Sequence, residues 1–366
     1  MMITLSQLLA MTCVGNCRSN YRAAMHGLML PMLAEHPIVA MQSVDWHYRR
    51  LERAIDLEQV KLYFDRFGRC CGYAWWTQVS SQNEDRILQF GPEALAAEHF
   101  CTEGKPWIVD LWATFGRLPE ILLDLCEIMW KLNTTISYCR YKNGKRMLKS
   151  ATLCNEAQSA EIELAHPESA ETYWLCSDDG KPSLEALATI LRSAVDCGKA
   201  VGLLVRVARY AKLPLPAILR RLRPALECRQ YRLLCSPAGE PESYCSWLWR
   251  EVTGASACEP ILTLELSDWH DGRDAWLCDA VMMRGCASNL QQELSTVAPG
   301  GWLIYPDNSQ GAPWPTQPLR VSSNDLLAIL PADEAVFDLA AWWHVKRPGL
   351  VGSATPLEDR AVTKPD

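Results

Sequence analysis

Pro106-Trp-Ile-Val-Asp-Leu-Trp-Ala-Thr-Phe-Gly116 is an apolar run interrupted by a single acid. A continuous apolar segment of this length, closed by a glycine, predicts a buried central strand. Asp110 inside it is costly, because a carboxylate in such a layer loses several kcal/mol of hydration, to within an order of magnitude, unless it is paired or hydrogen-bonded. Two readings follow: a functional carboxylate, or an acid that caps a neighbouring backbone group.

The arrangement recurs in Ala275-Trp-Leu-Cys-Asp-Ala-Val-Met-Met-Arg-Gly285. Trp107, Asp110 and Gly116 reappear as Trp276, Asp279 and Gly285, each 169 positions later. Upstream, Leu51, Ala54 and Gln59 recur as Leu222, Ala225 and Gln230, and Tyr73-Ala-Trp-Trp76 as Tyr244-Cys-Ser-Trp247, at a shift of 171. Landmarks that keep one shift to within two residues indicate a tandem duplication, with a period far too long for a solenoid.

The length of 366 residues fits this reading, since single cores rarely grow beyond about 250–300 residues. An apolar share of 49% and a charged share of 22% are those of a globular protein. The formal charge of −7 argues against a general nucleic-acid binder, which needs a basic face to release counterions. Sixteen cysteines are scattered through apolar patterns, as expected of buried free thiols in a reducing compartment. Cys13 with Cys17, and Cys70 with Cys71, lack the paired spacing and histidine partners of a zinc site, so no metal is expected. The first seventeen residues lack a basic n-region, and Arg18 and Arg22 stand where a cleavage site would lie, which favours an ordinary helix over a signal peptide. No apolar stretch is long enough to span a membrane.

Along the first copy, the pattern predicts a helix from Arg18 to Glu35 with Pro31 inside it, and a helix through Leu51 and Ile55 capped by Asp45. Val60–Phe64 and Cys71–Val79 form a hairpin, Ser80 or Ser81 opens a helix, and Pro106–Ala113 is the central strand. Leu118 to Leu132 carries the clearest helical periodicity, and Thr135–Tyr141 pairs with Arg146–Ala151 across Asn143-Gly144. Residues 153–182 read as a linker. The second copy, residues 183–348, repeats the order. It has helices at Ser183–Arg209 and Pro216–Leu226, and strands at Tyr231–Cys235, Tyr244–Trp249, Ile261–Leu266, Trp276–Met282 and Trp302–Tyr305. Ser288 or Asn289 caps a last helix through Val297. Residues 349–366 read as a disordered tail. The expected class is α+β, with helices on a mixed, mostly antiparallel sheet in each of two tandem domains.

Leu51-x-x-Ala54-Ile55-x-x-x-Gln59, Tyr73-x-x-Trp76 and the block Gly104 to Gly116 together resemble the toxin-activating lysine acyltransferases of bacterial RTX haemolysins. The resemblance covers about residues 25–150 and, more weakly, 200–310. It implies an N-acetyltransferase-like (GNAT-like) fold acting in the cytoplasm as a dimer, which moves a fatty acyl group from acyl carrier protein to internal lysines of a protoxin. Acyl carrier protein then serves as co-substrate and no resident cofactor is needed. The family's chemistry rests on an aspartate, matched by Asp110, and a histidine near the N-terminus. His36, in Leu33-Ala-Glu-His-Pro37, is the nearest candidate, and His47 is the alternative.

The residue types suit that chemistry independently. A lysine amine must lose its proton before it attacks a thioester, and its ordinary pKa is about 10.4. An imidazole can accept that proton, with a carboxylate to orient it. In the second copy no histidine stands near Ala208-Arg-Tyr210, and Arg284 replaces Phe115, so that half is expected to be degenerate and kept as an intramolecular dimer partner. Arg49, Arg50 and Arg53, with Arg220, Arg221 and Arg223, make either solvated helix faces or a docking surface for an acidic carrier. Two other classes remain. One is a non-catalytic chaperone of a secreted protein; the other is an acyltransferase with a small-molecule acceptor, against which stands the missing glycine-rich pyrophosphate loop before Leu118.

Overall fold

The structure, a computed structural model, describes residues 17–36, 39–64, 70–114, 116–132, 135–142, 145–152, 173–174, 184–251, 266–304, 320–321 and 336–338. Packing divides the chain into two compact units, residues 1–219 with 237–240, and residues 220–236 with 241–366.

In the first unit, α1 (Cys17–Ala34) carries Pro31 inside it. Helix α2 (Val44–Asp56) starts from Ser43, whose hydroxyl accepts from the Trp46 N–H at 3.3 Å. Asp45 therefore does not cap it. It lies in the first turn, where its charge suits the helix dipole, and it pairs with Arg49. Val44, His47, Arg50, Leu51, Ala54 and Ile55 form the buried stripe at helical spacing. β1 (Val60–Phe64) and β2 (Cys70–Val79) pair antiparallel, with the turn between them outside the described residues. Ser80 caps α3 (Ser81–Phe90) by accepting from the Asn83 N–H, and Glu84 of the first turn pairs with Lys105. β3 (Lys105–Ala113), α4 (Leu118–Leu132) and the hairpin of β4 (Thr135–Lys142) and β5 (Lys145–Thr152) follow as the periodicity predicts. Within the expected linker, β6 (Tyr173–Trp174) adds a parallel edge to β1.

The sheet order is β5-β4-β3-β2-β1-β6, so the strand bearing Asp110 is central. Antiparallel pairings predominate, but β3 and β4 run parallel and pair only over Trp107↔Ser137 and Ile108↔Tyr138. Ile121 and Leu125 of α4 pack with Ala74, Trp76 and Ile136 against this sheet.

Helices α5 (Leu184–Leu204) and α6 (Ala208–Ala211), at the head of the second copy, pack within the first unit. The contact between α1 and α5 is very close. A Cβ on Gly27 would lie 1.8 Å from the Ala194 carbonyl oxygen, and one on Gly198 would lie 1.9 Å from that of Ala23. Gly27 and Gly198 are 171 positions apart, as are Ala23 and Ala194. Each helix therefore offers the other the same small-residue pair, the signature of an isologous contact.

Helix α7 (Leu215–Glu227) leads into the second sheet, built of β7 (Tyr231–Cys235), β8 (Pro241–Arg250), β9 (His270–Asp271), β10 (Ala275–Met283), β11 (Trp302–Ile304), β12 (Arg320–Val321) and β13 (Val336–Asp338). Its path β12-β11-β10-β8-β7 repeats β5-β4-β3-β2-β1. Small irregularities are duplicated too. Val109 and Cys278 are one-residue bulges just before the two aspartates. Glu58 and Arg229 both have positive φ, at 56° and 55°, after α2 and α7. Helix α8 (Ala287–Val297) starts from Cys286 rather than Ser288 or Asn289, which fall inside its first turn. Leu266 belongs to a short 3-10 turn, and residues 261–265, Tyr305 and the tail lie outside the described residues.

Candidate active site

Asp110 reaches the site just after the Val109 bulge, where Trp75 faces Asp110 and Trp76 faces Ile108. A bulge bends its strand and re-aims the neighbouring side chains. The Tyr73 hydroxyl donates to Asp110 Oδ2 at 2.7 Å, and the Leu111 N–H donates to Oδ1 at 2.9 Å. Among the described residues Asp110 makes no salt bridge. Loss of solvent pushes its carboxyl above the usual range; the Tyr73 hydrogen bond, the charge of His36, the Leu111 N–H and Arg50 pull it partly back. The Tyr73 phenol is pushed well up, first by burial and then by Asp110.

The carboxylate faces a cavity of about 680 Å³, where β3 and β4 part beyond Ile108. His36, just past the end of α1, lines the same cavity; its N–H bonds to the Leu33 carbonyl and its carbonyl accepts from Ala40. Much of the remaining lining is apolar, with Leu111, Leu118, Leu122, Leu125 and Ile136. Leu118 and Leu122 are exposed, at 45% and 39%, which puts them at the rim. Cys126 and Cys139 also line it, and burial pushes both thiols up, so neither is an activated nucleophile.

His47 is fully buried on α2 beside the Trp46 ring and does not line this cavity. The six arginines separate likewise. Arg49, Arg53, Arg220 and Arg223 are exposed, whereas Arg50 and Arg221 are each 3% exposed and offer no surface to a docking partner. Both sit on the apolar stripe of their helices, which buries position 50 with Leu51 and position 221 with Leu222.

The sequence reading missed Arg50 as part of the site. Its guanidinium carbon lies 3.9 Å from the Trp46 ring centroid, 5.0 Å from Trp75 and 5.4 Å from Phe100, and Nη2 donates to the Pro92 carbonyl at 3.0 Å. Burial pulls it down to about 9, while Asp110 and Glu93 oppose the shift, so it stays charged at neutral pH. The duplicate position behaves differently. Arg221 grips Asp279 at two points, Nε to Oδ1 at 3.0 Å and Nη2 to Oδ1 at 2.9 Å, and Ser246 adds a bond to Oδ2. Asp279 is 1% exposed.

Among the described residues no cluster of His, Cys, Asp or Glu is placed to hold a metal ion, and no helix is long and apolar enough to cross a membrane.

Comparison with known families places a class on this architecture. The chain matches an acyltransferase family over residues 20–153 and again over 193–300, well over half its length and one match per copy. It belongs to the RTX toxin acyltransferase family. A search of curated proteins returned no match.

Proposed function

We propose that the protein moves a fatty acyl group from acyl carrier protein to an internal lysine of an RTX-type protoxin, using His36 and Asp110. The observation that supports this reading is the shared cavity, which His36 and Asp110 both line together with apolar side chains. In the step envisaged, the neutral lysine nitrogen attacks the thioester carbonyl carbon, the C–N bond forms and the C–S bond breaks. His36 takes the proton that the nitrogen loses and passes it to the departing sulfur, so that the carrier leaves as a thiol and the imidazole is neutral again. Asp110, a carboxylate lining the same cavity, favours the imidazolium that forms. Positioned base catalysis of this kind contributes roughly 10² to 10⁴ in rate.

The apolar wall suits an alkyl chain, each buried methylene of which contributes about 0.8 kcal/mol. Arg140 on the cavity and the exposed Lys149 on the same hairpin suit an acidic carrier. The parting of parallel β3 and β4 supports an N-acetyltransferase-like fold. We read the second copy as catalytically silent, its aspartate neutralised by Arg221. The self-matching α1–α5 contact supports a homodimer joined covalently, in which pairing no longer depends on concentration.

The test is co-expression with the protoxin and mass spectrometry of its lysines. His36→Ala and Asp110→Asn should each lower acylation by about 100-fold or more. Wild-type acylation by both variants would overturn the assignment, and a stable complex without any acylated lysine would favour the chaperone reading.

A further inference from the structure

The two copies hold the same arginine and aspartate in opposite relationships. Position 50 duplicates as 221 and position 110 as 279, yet Arg221 closes on Asp279 while Arg50 stays stacked on aromatic rings. The surrounding residues account for the difference. Trp46, whose ring lies closest to Arg50, is replaced at the duplicate position by Ala217, and Trp75, the next closest, by Ser246. Trp75 is also the direct cross-strand neighbour of Asp110, as Ser246 is of Asp279. An indole face attracts a guanidinium electrostatically, and more strongly when both are desolvated. The Pro92 carbonyl adds a charge-assisted hydrogen bond on the same side. Where both rings are replaced by small residues, the guanidinium lies on the carboxylate, and the Ser246 hydroxyl adds a bond to Oδ2.

We propose that Trp46 and Trp75 are positioning residues that hold the Arg50 guanidinium off Asp110, leaving that carboxylate free to act in the cavity. The pair rests on the catalytic reading of Asp110 given above. Arg50 contributes its charge at a distance, which moderates Asp110 without neutralising it. The aromatic holder thus decides which of the two duplicated aspartates is available and which is sealed.

The experiment imports the second copy's residues into the first, as Trp46→Ala with Trp75→Ser, in the full chain. A crystal structure of this variant should show Arg50 bonded at two points to Asp110, and acyl transfer should fall on the order of 100-fold, the low end of what a positioned base contributes. Adding Arg50→Met should restore transfer to within about tenfold of the parent, because no cation remains to seal the carboxylate. Trp75→Phe, which keeps a ring face, should retain most of the rate. If the serine variant does not fold, Trp46→Leu with Trp75→Leu fills most of the volume without a π face and carries the same expectations. The proposal is overturned if Arg50 stays on the Pro92 carbonyl without the rings, or if Arg50→Met fails to restore transfer. Wild-type activity of Asp110→Asn would defeat the catalytic reading instead, and the crystallographic pairing would still report on the holder.

Discussion

Ser43 and Pro214 form an antiparallel bridge with one another, and they occupy the same position in the two copies, 171 residues apart. A residue that pairs with its own duplicate lies on a local two-fold axis. The bridge is reinforced by the Val44 N–H to the Leu213 carbonyl at 2.8 Å, and the α1–α5 contact obeys the same exchange. Self-pairing of this kind is what an isologous contact produces.

Symmetric contacts predict symmetric costs. Gly27→Val and Gly198→Val each drive a side chain into a backbone carbonyl of the facing helix, so each should destabilise the protein by about 1–3 kcal/mol or more, as overpacking does. Denaturant melts of the two variants check this, and a large cost for one with none for the other would contradict the exchange.

The two aspartates should respond in opposite directions. Asp110 has a carboxyl raised above its unfolded value, so folding disfavours its ionised form, and the cost grows as pH rises from the unfolded to the folded pKa. Asp110→Asn, which can still accept from Tyr73, should therefore leave Tm at pH 7 unchanged or raise it. Asp279→Asn removes the partner of a buried guanidinium and should cost about 3–5 kcal/mol. Calorimetry at neutral pH reads both signs.

The α+β class, the duplication and the central strand were legible because apolar period and motif spacing are local properties of a chain. The boundaries of β7 coincide with those expected, and α4 follows its leucine periodicity. The errors arose where a single side chain had to choose between neighbours. Ser43 displaced Asp45 as the α2 cap because an N-cap needs its acceptor outside the first turn. Arg50 was grouped with Arg49 and Arg53 as a charge run, although its spacing from His47 and Ala54 already put it on the buried stripe. What no spacing could convey is that Trp75, from another strand, would come to lie within cation–π reach of it.

His26 sets an acid limit. Its ring stacks on Tyr48 at 4.0 Å between centroids, and burial, with Arg22 adding repulsion, pulls its pKa from 6.5 to about 3. A lowered histidine is neutral in the fold and charged in the unfolded chain, so its stabilising effect is complete above about pH 6.5 and is lost as pH falls towards 3. The slope in that window is about 1.4 kcal/mol per pH unit for one proton. His26→Phe, which keeps the stack, should flatten the stability profile by about one proton between these limits while leaving Tm at pH 8 nearly unchanged.

The cavity makes acyl length the last measurable consequence of the proposed reaction. Leu122 lies on its rim, lines it and is 39% exposed, so a larger residue there has solvent to relax into and need not strain the core. Leu122→Trp would narrow the chamber from that side and exclude the far end of a long chain first. Each methylene refused burial costs about 0.8 kcal/mol, roughly a fourfold loss in kcat/KM, so excluding two or three should lower it about 15- to 60-fold. Acyl donors of increasing length, compared on the parent and on Leu122→Trp, should diverge only above a threshold length. A uniform loss at every length would instead place the alkyl chain outside this cavity, because a wall that never meets the chain cannot discriminate by its length.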